Sequence, residues 1–443
     1  MDAAELAGRL TASGLANRYW IGYSGGLDSH VLLHQCARLG LADGRFRFAA
    51  VHVHHGLQPA AEAWAEHCAK ACSELNVPFR LMRVDARAAP GQSPEEAARD
   101  ARYRAFEALL EEGEALLTAQ HADDQAETVL LQLLRGAGLA GLAAMPESMA
   151  LGRGRLLRPL LAWSREALQG YAEAHGLRWV EDPSNRDTSY DRNFIRREVM
   201  PLLAGRWPGV AATLGRTARH CAEAQSQLER LAEDLLLAAG AGGPEGTLSV
   251  ACLRRWQAPE QRLALRHWLR HAGFRAPSAA VLQRIVAEVL TAAEHRNPHV
   301  AWREGEVRRY RDRLYALRPL PPLDAQVVYP WDGRRPLVLP GNGVLRLLSG
   351  DGPLPVGWHG AMQVRYRRGG ERCRLPGRQG SHALKKLFQE SALLPPWVRE
   401  RVPLVYVDGC LAAVGDLWLC EPFAGPGSGV TLSWSGHGLS YAR

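Results

Sequence analysis

The hexapeptide Ser24-Gly25-Gly26-Leu27-Asp28-Ser29 combines the residue types that grip a phosphate. Adjacent glycines let backbone N–H groups turn toward an anion with no Cβ in the way, and a helix that follows points its positive end at the same spot. Ser24 and Ser29 add hydroxyl donors, while Leu27 begins the apolar run that carries the helix onward. Asp28 is the odd member: beside phosphates a carboxylate is repelled unless a cation lies between, so the residue implies a nucleotide bound with Mg²⁺. The plainer alternative is a strand-to-helix turn that merely needs glycine. The order of apolar run (Tyr19 to Tyr23), turn and helical run (His30 to Leu39) favours the phosphate site.

A second group of functional types is His121-Ala122-Asp123-Asp124-Gln125-Ala126-Glu127-Thr128. Asp123 and Glu127 are four apart and Asp124 and Glu127 three apart, so a helix here presents several carboxylates on one face or in its first turn. Acids in a first turn also complement the helix dipole. Beside His121, and after an apolar strand, the cluster reads as the other half of an active site. Asp28, His121 and Asp124 are the catalytic candidates, with Asp28 and Asp124 sharing the metal. His52, His54 and His55 close an earlier strand, and Arg104 is a candidate phosphate partner.

The elements that must position these groups alternate. Phe46 to Val53, Phe79 to Val84 and Ala115 to Ala119 read as strands, and Ala60 to Asn76 and Pro94 to Glu112 as helices. Ser93, Pro94 and Glu96 form a helix start with a capping box. This predicts an α/β fold, a parallel sheet with helices on both faces, whose ligands sit at the carboxyl ends of the strands. After Pro208 the texture becomes helical through Arg216 to Leu237 and Arg262 to Ala293, and the last third carries small strands and a helix near His382 to Ser391. The expected domains are 1–208, catalytic; 209–322, helical and connecting; and 323–443, a small α+β domain.

With 443 residues, a net charge of +8 and a sequence pI near 9.2, the chain suits two to three domains and a polyanionic partner. Eight cysteines without a C-x-x-C pair read as reduced, mostly buried thiols. Neither a signal peptide nor a run of the ~20 apolar residues that span a bilayer is visible, so the expectation is a soluble, cytoplasmic protein with no membrane partner.

No G-x-x-x-x-G-K-[ST] occurs. The S-G-G-x-D-S pattern instead resembles the PP-loop of the N-type ATP pyrophosphatases, whose fold is that of the adenine-nucleotide α-hydrolases. A larger set of segments resembles the tRNA(Ile)-lysidine synthetase family: His52-Val-His-His-Gly-Leu57, Asp100-Ala-Arg-Tyr-Arg104, His121 to Thr128, Arg135 to Leu142, Arg158-Pro-Leu-Leu161, Glu181 to Asn185, Arg192-Asn-Phe-Ile-Arg196 and the tail from Arg365 to Trp418. Gln120 departs from a form of the motif in which two histidines adjoin.

The resemblance implies that ATP adenylates the carbon-2 oxygen of the wobble cytidine in the CAU anticodon of tRNA(Ile), and that free L-lysine then displaces AMP. The lysine amine, with a reference pKa ~10.4, must lose a proton at a cost of about 4.6 kcal/mol at pH 7 in an indifferent site. His121 or an acidic neighbour is the candidate base. In the tail, Arg365, Arg367, Arg368, Arg372, Arg374, Arg378, Lys385 and Lys386 face one acid, Glu371, a stripe suited to an RNA backbone. A homodimer is the expected assembly. The rival readings are a thiolating PP-loop enzyme, for which paired cysteines are absent, and a tRNA-binding protein without catalysis, against which the intact Asp28, Asp123 and Asp124 argue.

Overall fold

A computed structural model describes residues 3–56, 61–87, 94–181, 187–241, 246–293, 296–354, 362–391, 394–421, 423, 429–437 and 439. Leu57, Ser93 with its expected cap, and Asp182 to Asn185 lie outside them. The chain forms two compact units, Met1–Gln227 and Leu228–Arg443.

The first unit is built on strands β1 (Arg18–Gly22), β2 (Phe48–His54), β3 (Phe79–Arg83), β4 (Glu114–Leu117), β5 (Ser148–Leu151) and β6 (Gly154–Leu157). Their order is β3-β2-β1-β4-β6-β5, parallel except for the edge strand β5. Both faces of the central strands are apolar, as parallel strands covered by helices must be. On one face Tyr19, Ile21, Ala115 and Leu117 pack with Leu6, Leu32 and Leu33, the latter three from helices α1 (Ala3–Ala12) and α2 (Leu27–Ala42). On the other Trp20, Val51 and Leu116 pack with Phe106 and Leu109. Helices α3 (Ala61–Glu74), α4 (Pro94–Leu109) and α5 (Ala122–Leu134) complete the alternation expected from the sequence.

The second unit holds two apolar cores. One surrounds Leu265, Trp268, Leu282 and Ile285 and includes a four-stranded antiparallel sheet, β7 (Leu248–Ser249), β8 (His299–Ala301), β9 (Glu306–Tyr310) and β10 (Arg313–Leu317). The middle of the chain is therefore not helical throughout. The second core gathers Trp331, Phe388, Trp397, Val405 and Trp434 around small antiparallel sheets and the helix Leu384–Glu390. Here the sequence expectation for cysteine needs correcting: Cys373 and Cys420, both buried, form a disulfide with Cα atoms 5.6 Å apart. The strand around Arg372–Cys373 and the turn after Trp418–Leu419 meet across 47 residues, a pairing that no local spacing announces. Cys36, Cys68, Cys72, Cys221, Cys252 and Cys410 are free, and the first three are buried.

Candidate active site

The Ser24 loop leaves β1 and enters α2 at the carboxyl edge of the sheet. Gly25 takes φ +84°, a conformation that costs glycine nothing, and a Cβ there would lie 3.1 Å from the Cys68 sulfur. The turn therefore needs glycine on two counts. Its shape is held from within: Ser29 Oγ accepts from the Ser24 N–H at 3.2 Å and donates to the Gly26 carbonyl at 3.0 Å, while Ser24 Oγ lies 3.0 Å from Ser29 Oγ. Val180 donates its N–H to the Gly25 carbonyl at 2.9 Å. Gly26 is the N-cap of α2 and supplies no side chain, so the helix end stays open to an anion.

The loop after β4 brings the second cluster to the same edge. Nε2 of His121 lies 3.6 Å from Asp28 Oδ2 and 3.4 Å from Asp124 Oδ2, and its Nδ1 3.4 Å from Asp123 Oδ2. Burial by itself would lower the imidazole pKa, but hydrogen bonds to Asp123 and Asp28 and the charge of Asp124 push it up to about 10. The ring is a cation at neutral pH. With both nitrogens protonated it has no lone pair for the Asp123 N–H 3.3 Å away, so it serves its carboxylates, and Asp124 caps α5 by accepting the His121 N–H at 3.2 Å. As a base for an amine, His121 is poorly suited in this arrangement.

Sequence reasoning gave Arg192 and Arg196 no role, yet they complete the cluster. Arg192 donates to Asp124 Oδ1 and to Glu127 Oε2, both at 3.0 Å. Arg196 donates to Glu127 Oε1 at 2.6 Å, to Glu127 Oε2 at 2.8 Å and to Asp124 Oδ1 at 2.8 Å. Glu127 is buried and could not stay ionised there without such partners. Arg196 sits in a π-helical stretch, Ile195–Val199, between the helical segments Asp191–Phe194 and Met200–Arg206. The signal available beforehand was a pair of arginines four apart and a buried acid in want of counter-charge.

Several buried polar atoms at this edge have no hydrogen-bond partner: Asp28 Oδ1, His55 Nδ1, Thr118 Oγ1 and Gln120 Oε1. Each costs stability as it stands, about 1–3 kcal/mol for a neutral group, so a bound ligand that satisfies them gains by it. Among the described residues no cluster of three or more His, Cys, Asp or Glu has the geometry of a complete metal site. Asp28 Oδ1 is nonetheless a free carboxylate oxygen at a phosphate-binding turn, whereas Asp124 Oδ1 takes two guanidinium groups and Oδ2 faces His121. His52 is a scaffold group here, its Nδ1 donating to the Tyr23 carbonyl at 2.8 Å.

In the second unit the basic stripe is partly neutralised from outside its own sequence window. Arg378 pairs with Glu390 at 2.7 Å, Lys386 approaches the same carboxylate at 3.9 Å, Arg374 pairs with Glu421 at 2.7 Å and Arg367 lies 3.8 Å from Glu371. Arg365 lies over the Tyr406 ring, Arg368 donates to the Ala325 carbonyl and Arg372 to that of Ser381. Lys385 is exposed.

Models of known families match along most of the chain: a PP-loop domain over residues 3–203, a TilS substrate binding domain over 248–315 and a TilS substrate C-terminal domain over 362–434. Among curated proteins, the chain is 52% identical to the tRNA(Ile)-lysidine synthase of Methylococcus capsulatus, with 94% of this chain and 95% of the relative covered. Identity to the protein of the same name from Alkalilimnicola ehrlichii is 47%, covering 96% of each, and to that from Coxiella burnetii 42%, covering 93% and 91%. A phosphate-gripping turn facing a charged cluster, in a chain matched almost end to end, thus places this protein in the tRNA(Ile)-lysidine synthase family.

Proposed function

We propose that this protein joins the ε-amino nitrogen of free L-lysine to carbon 2 of the wobble cytidine in the CAU anticodon of tRNA(Ile), consuming ATP and releasing AMP and pyrophosphate. The observation that carries the reading is the open PP-loop, Ser24 to Ser29, facing His121 and Asp124 across one sheet edge. The carbon-2 oxygen is a poor leaving group, and transfer of AMP to it makes it a good one. Backbone N–H groups of the loop and the N-terminus of α2 hold the departing pyrophosphate. Mg²⁺ would be held by Asp28 through its unpartnered Oδ1, with the charge of Asp124 close by, and would neutralise charge on the phosphates. His121 fixes the positions of both carboxylates. Lysine attacks once AMP is in place; its amine must give up a proton, and a carboxylate of the cluster is the acceptor available.

The division into a catalytic part (1–208), a connecting part (209–322) and a C-terminal part (323–443) remains our reading of how the chain shares the work, with the tRNA body held by the later parts through Arg365, Arg367, Arg368, Arg372, Arg378, Lys385 and Lys386. No described helix is long and apolar enough to cross a membrane, and the cytoplasm, where tRNA and ATP are at hand, is the proposed compartment. The proposed assembly is a homodimer, for which sedimentation would give twice the 48.6 kDa chain mass. The decisive test is mass spectrometry of nucleosides from a CAU-anticodon tRNA(Ile) incubated with the protein, ATP, Mg²⁺ and lysine. Lysidine in place of the wobble cytidine is the expected product; unchanged cytidine, or a thiolated base, would defeat the reading.

A further inference from the structure

At the tip of the β9–β10 hairpin, Arg311 adopts φ +52°, the left-handed region that glycine or asparagine normally fills. A long side chain at a strained turn position suggests that the side chain itself is wanted there. Arg311 is exposed, and its guanidinium lies 5.4 Å from the centroid of the Tyr310 ring. Asp312, next in the turn, is already engaged, accepting from Ser249 Oγ at 2.7 Å and the Ala251 N–H at 2.6 Å.

A second arginine reaches the same ring from a segment far along the chain. Arg399, in the short helix Pro396–Arg399, donates through Nη2 to Tyr310 Oη at 2.6 Å and through Nε to the Leu394 carbonyl at 2.6 Å, with its guanidinium 5.5 Å from the Tyr310 centroid. It is half-buried and has no carboxylate partner among the described residues. Burial lowers its pKa, and the charges of Arg311 and Arg367 push the same way, so all three cations act on one locality. Arg367 is itself only loosely matched, 3.8 Å from Glu371. By contrast Arg308, stacked over Trp397 nearby, is neutralised by Glu306 at 2.8 Å. Tyr310 also packs edge-on against Trp397, which fixes the ring on which the two arginines rest.

Like charges held together with one loosely placed acid call for an anion, and guanidinium forks suit a phosphate better than any other common one. We propose that Arg311, Arg367 and Arg399, arranged about Tyr310, form a clamp for a backbone phosphate of the RNA substrate. The clamp deepens the tRNA reading given above and rests on it. One hairpin from the segment matched as a substrate binding domain and two arginines from beside and within the segment matched as the C-terminal domain converge on it, so a bound phosphodiester would tie the two modules to one point of the RNA. The bases would not be read there, since the groups presented are cations and an already engaged phenol.

The test uses the full-length chain and a CAU-anticodon tRNA(Ile) transcript, with the double variant R311G/R367Q. Glycine relieves the turn, so the melting temperature should not fall. Binding at about 0.1 M salt should weaken about tenfold, and the slope of log K against log salt should shrink by about 2, one per lost phosphate contact. Should the double variant melt early, R311Q alone carries the same test with a slope change of about 1. Affinity and slope equal to wild type would overturn the clamp. The two readings fail separately: a wild-type protein that makes no lysidine defeats the tRNA reaction, whereas one that makes it while the variants bind normally defeats the clamp alone.

Discussion

Arg196 closes on Glu127 with Nε 2.6 Å from Oε1 and Nη2 2.8 Å from Oε2, while the same Nη2 reaches Asp124 Oδ1 at 2.8 Å. One guanidinium thereby fixes a buried acid and an acid at the site's edge together. Burial alone would lower the pKa of Arg196, but Glu127 and Asp124 hold it raised. Removing one member of such a pair strands the other, which typically costs about 3–5 kcal/mol. Since Arg196 is about a quarter exposed, the lower end applies. Arg196→Ala should destabilise the first unit by ~2–3 kcal/mol in denaturant melts, and Glu127→Gln, which keeps some of the hydrogen bonds, by less.

Asp28→Asn should abolish adenylation while leaving the melting temperature within a few degrees of wild type, because the Asp28 carboxylate touches only His121 and presents a free oxygen to the loop. AMP release from labelled ATP in the presence of tRNA checks it. Wild-type rates with Mg²⁺ as the sole metal would remove Asp28 from the phosphate step.

Asp124→Ala separates the two chemical steps. If its charge supports the cation at Asp28, adenylation itself should stop; this is the expected outcome, since carboxylates gathered at one strand edge repel one another without positive charge. Accumulation of adenylated RNA in a quenched reaction would instead assign Asp124 to the lysine step.

His55 gives a dependence on pH. Burial, then the charges of Arg102, His52 and His54, lower its pKa from an ordinary 6.5 to about 4. A histidine depressed in the folded state contributes stability above pH 6.5 that is lost as pH falls toward 4. Melts at pH 7.5 and 5 should show the protein losing stability on acidification, and His55→Gln should flatten that loss by up to about one proton per molecule. An identical pH slope in the variant would mean that His55 titrates normally.

Reversal of Lys385 and Lys386 to Glu should weaken tRNA binding several-fold at low salt and reduce its salt dependence, with ATP affinity unchanged. Lys386 already shares Glu390 with Arg378, so Lys385→Glu alone should carry most of the effect. Unaltered tRNA affinity at low salt would leave the stripe as plain surface.

Where strands are wholly buried and glycine or a cap marks the next element, the sequence was readable. β1 to β4 and helices α2 to α5 appear where apolar runs and amphipathic stretches put them, to within a few residues. β5 and β6 escaped notice because four-residue strands leave too short a pattern. The middle sheet hid for another reason: Arg308, Arg309 and Arg313 interrupt its apolar alternation, and only the fold shows Arg309 to be buried, donating to the carbonyls of Arg311 and Ala292. Of the site, the Ser24 loop and the His121 cluster were visible as local patterns. Arg192 and Arg196 were not, because their partners lie more than sixty residues away.

The π-helical turn at Ile195–Val199 amounts to a setting of rotational phase. An α-helix advances about 100° per residue, and a π turn accommodates an additional residue without lengthening the helix by a full turn. Deleting one residue there would restore ordinary winding and swing the guanidinium of Arg196 about a quarter-turn off the acids it serves, while Arg192 stayed in place. Insertions or deletions in this stretch should therefore be far more damaging than substitutions at its solvent-facing positions, although none of the deleted atoms need touch nucleotide, lysine or RNA.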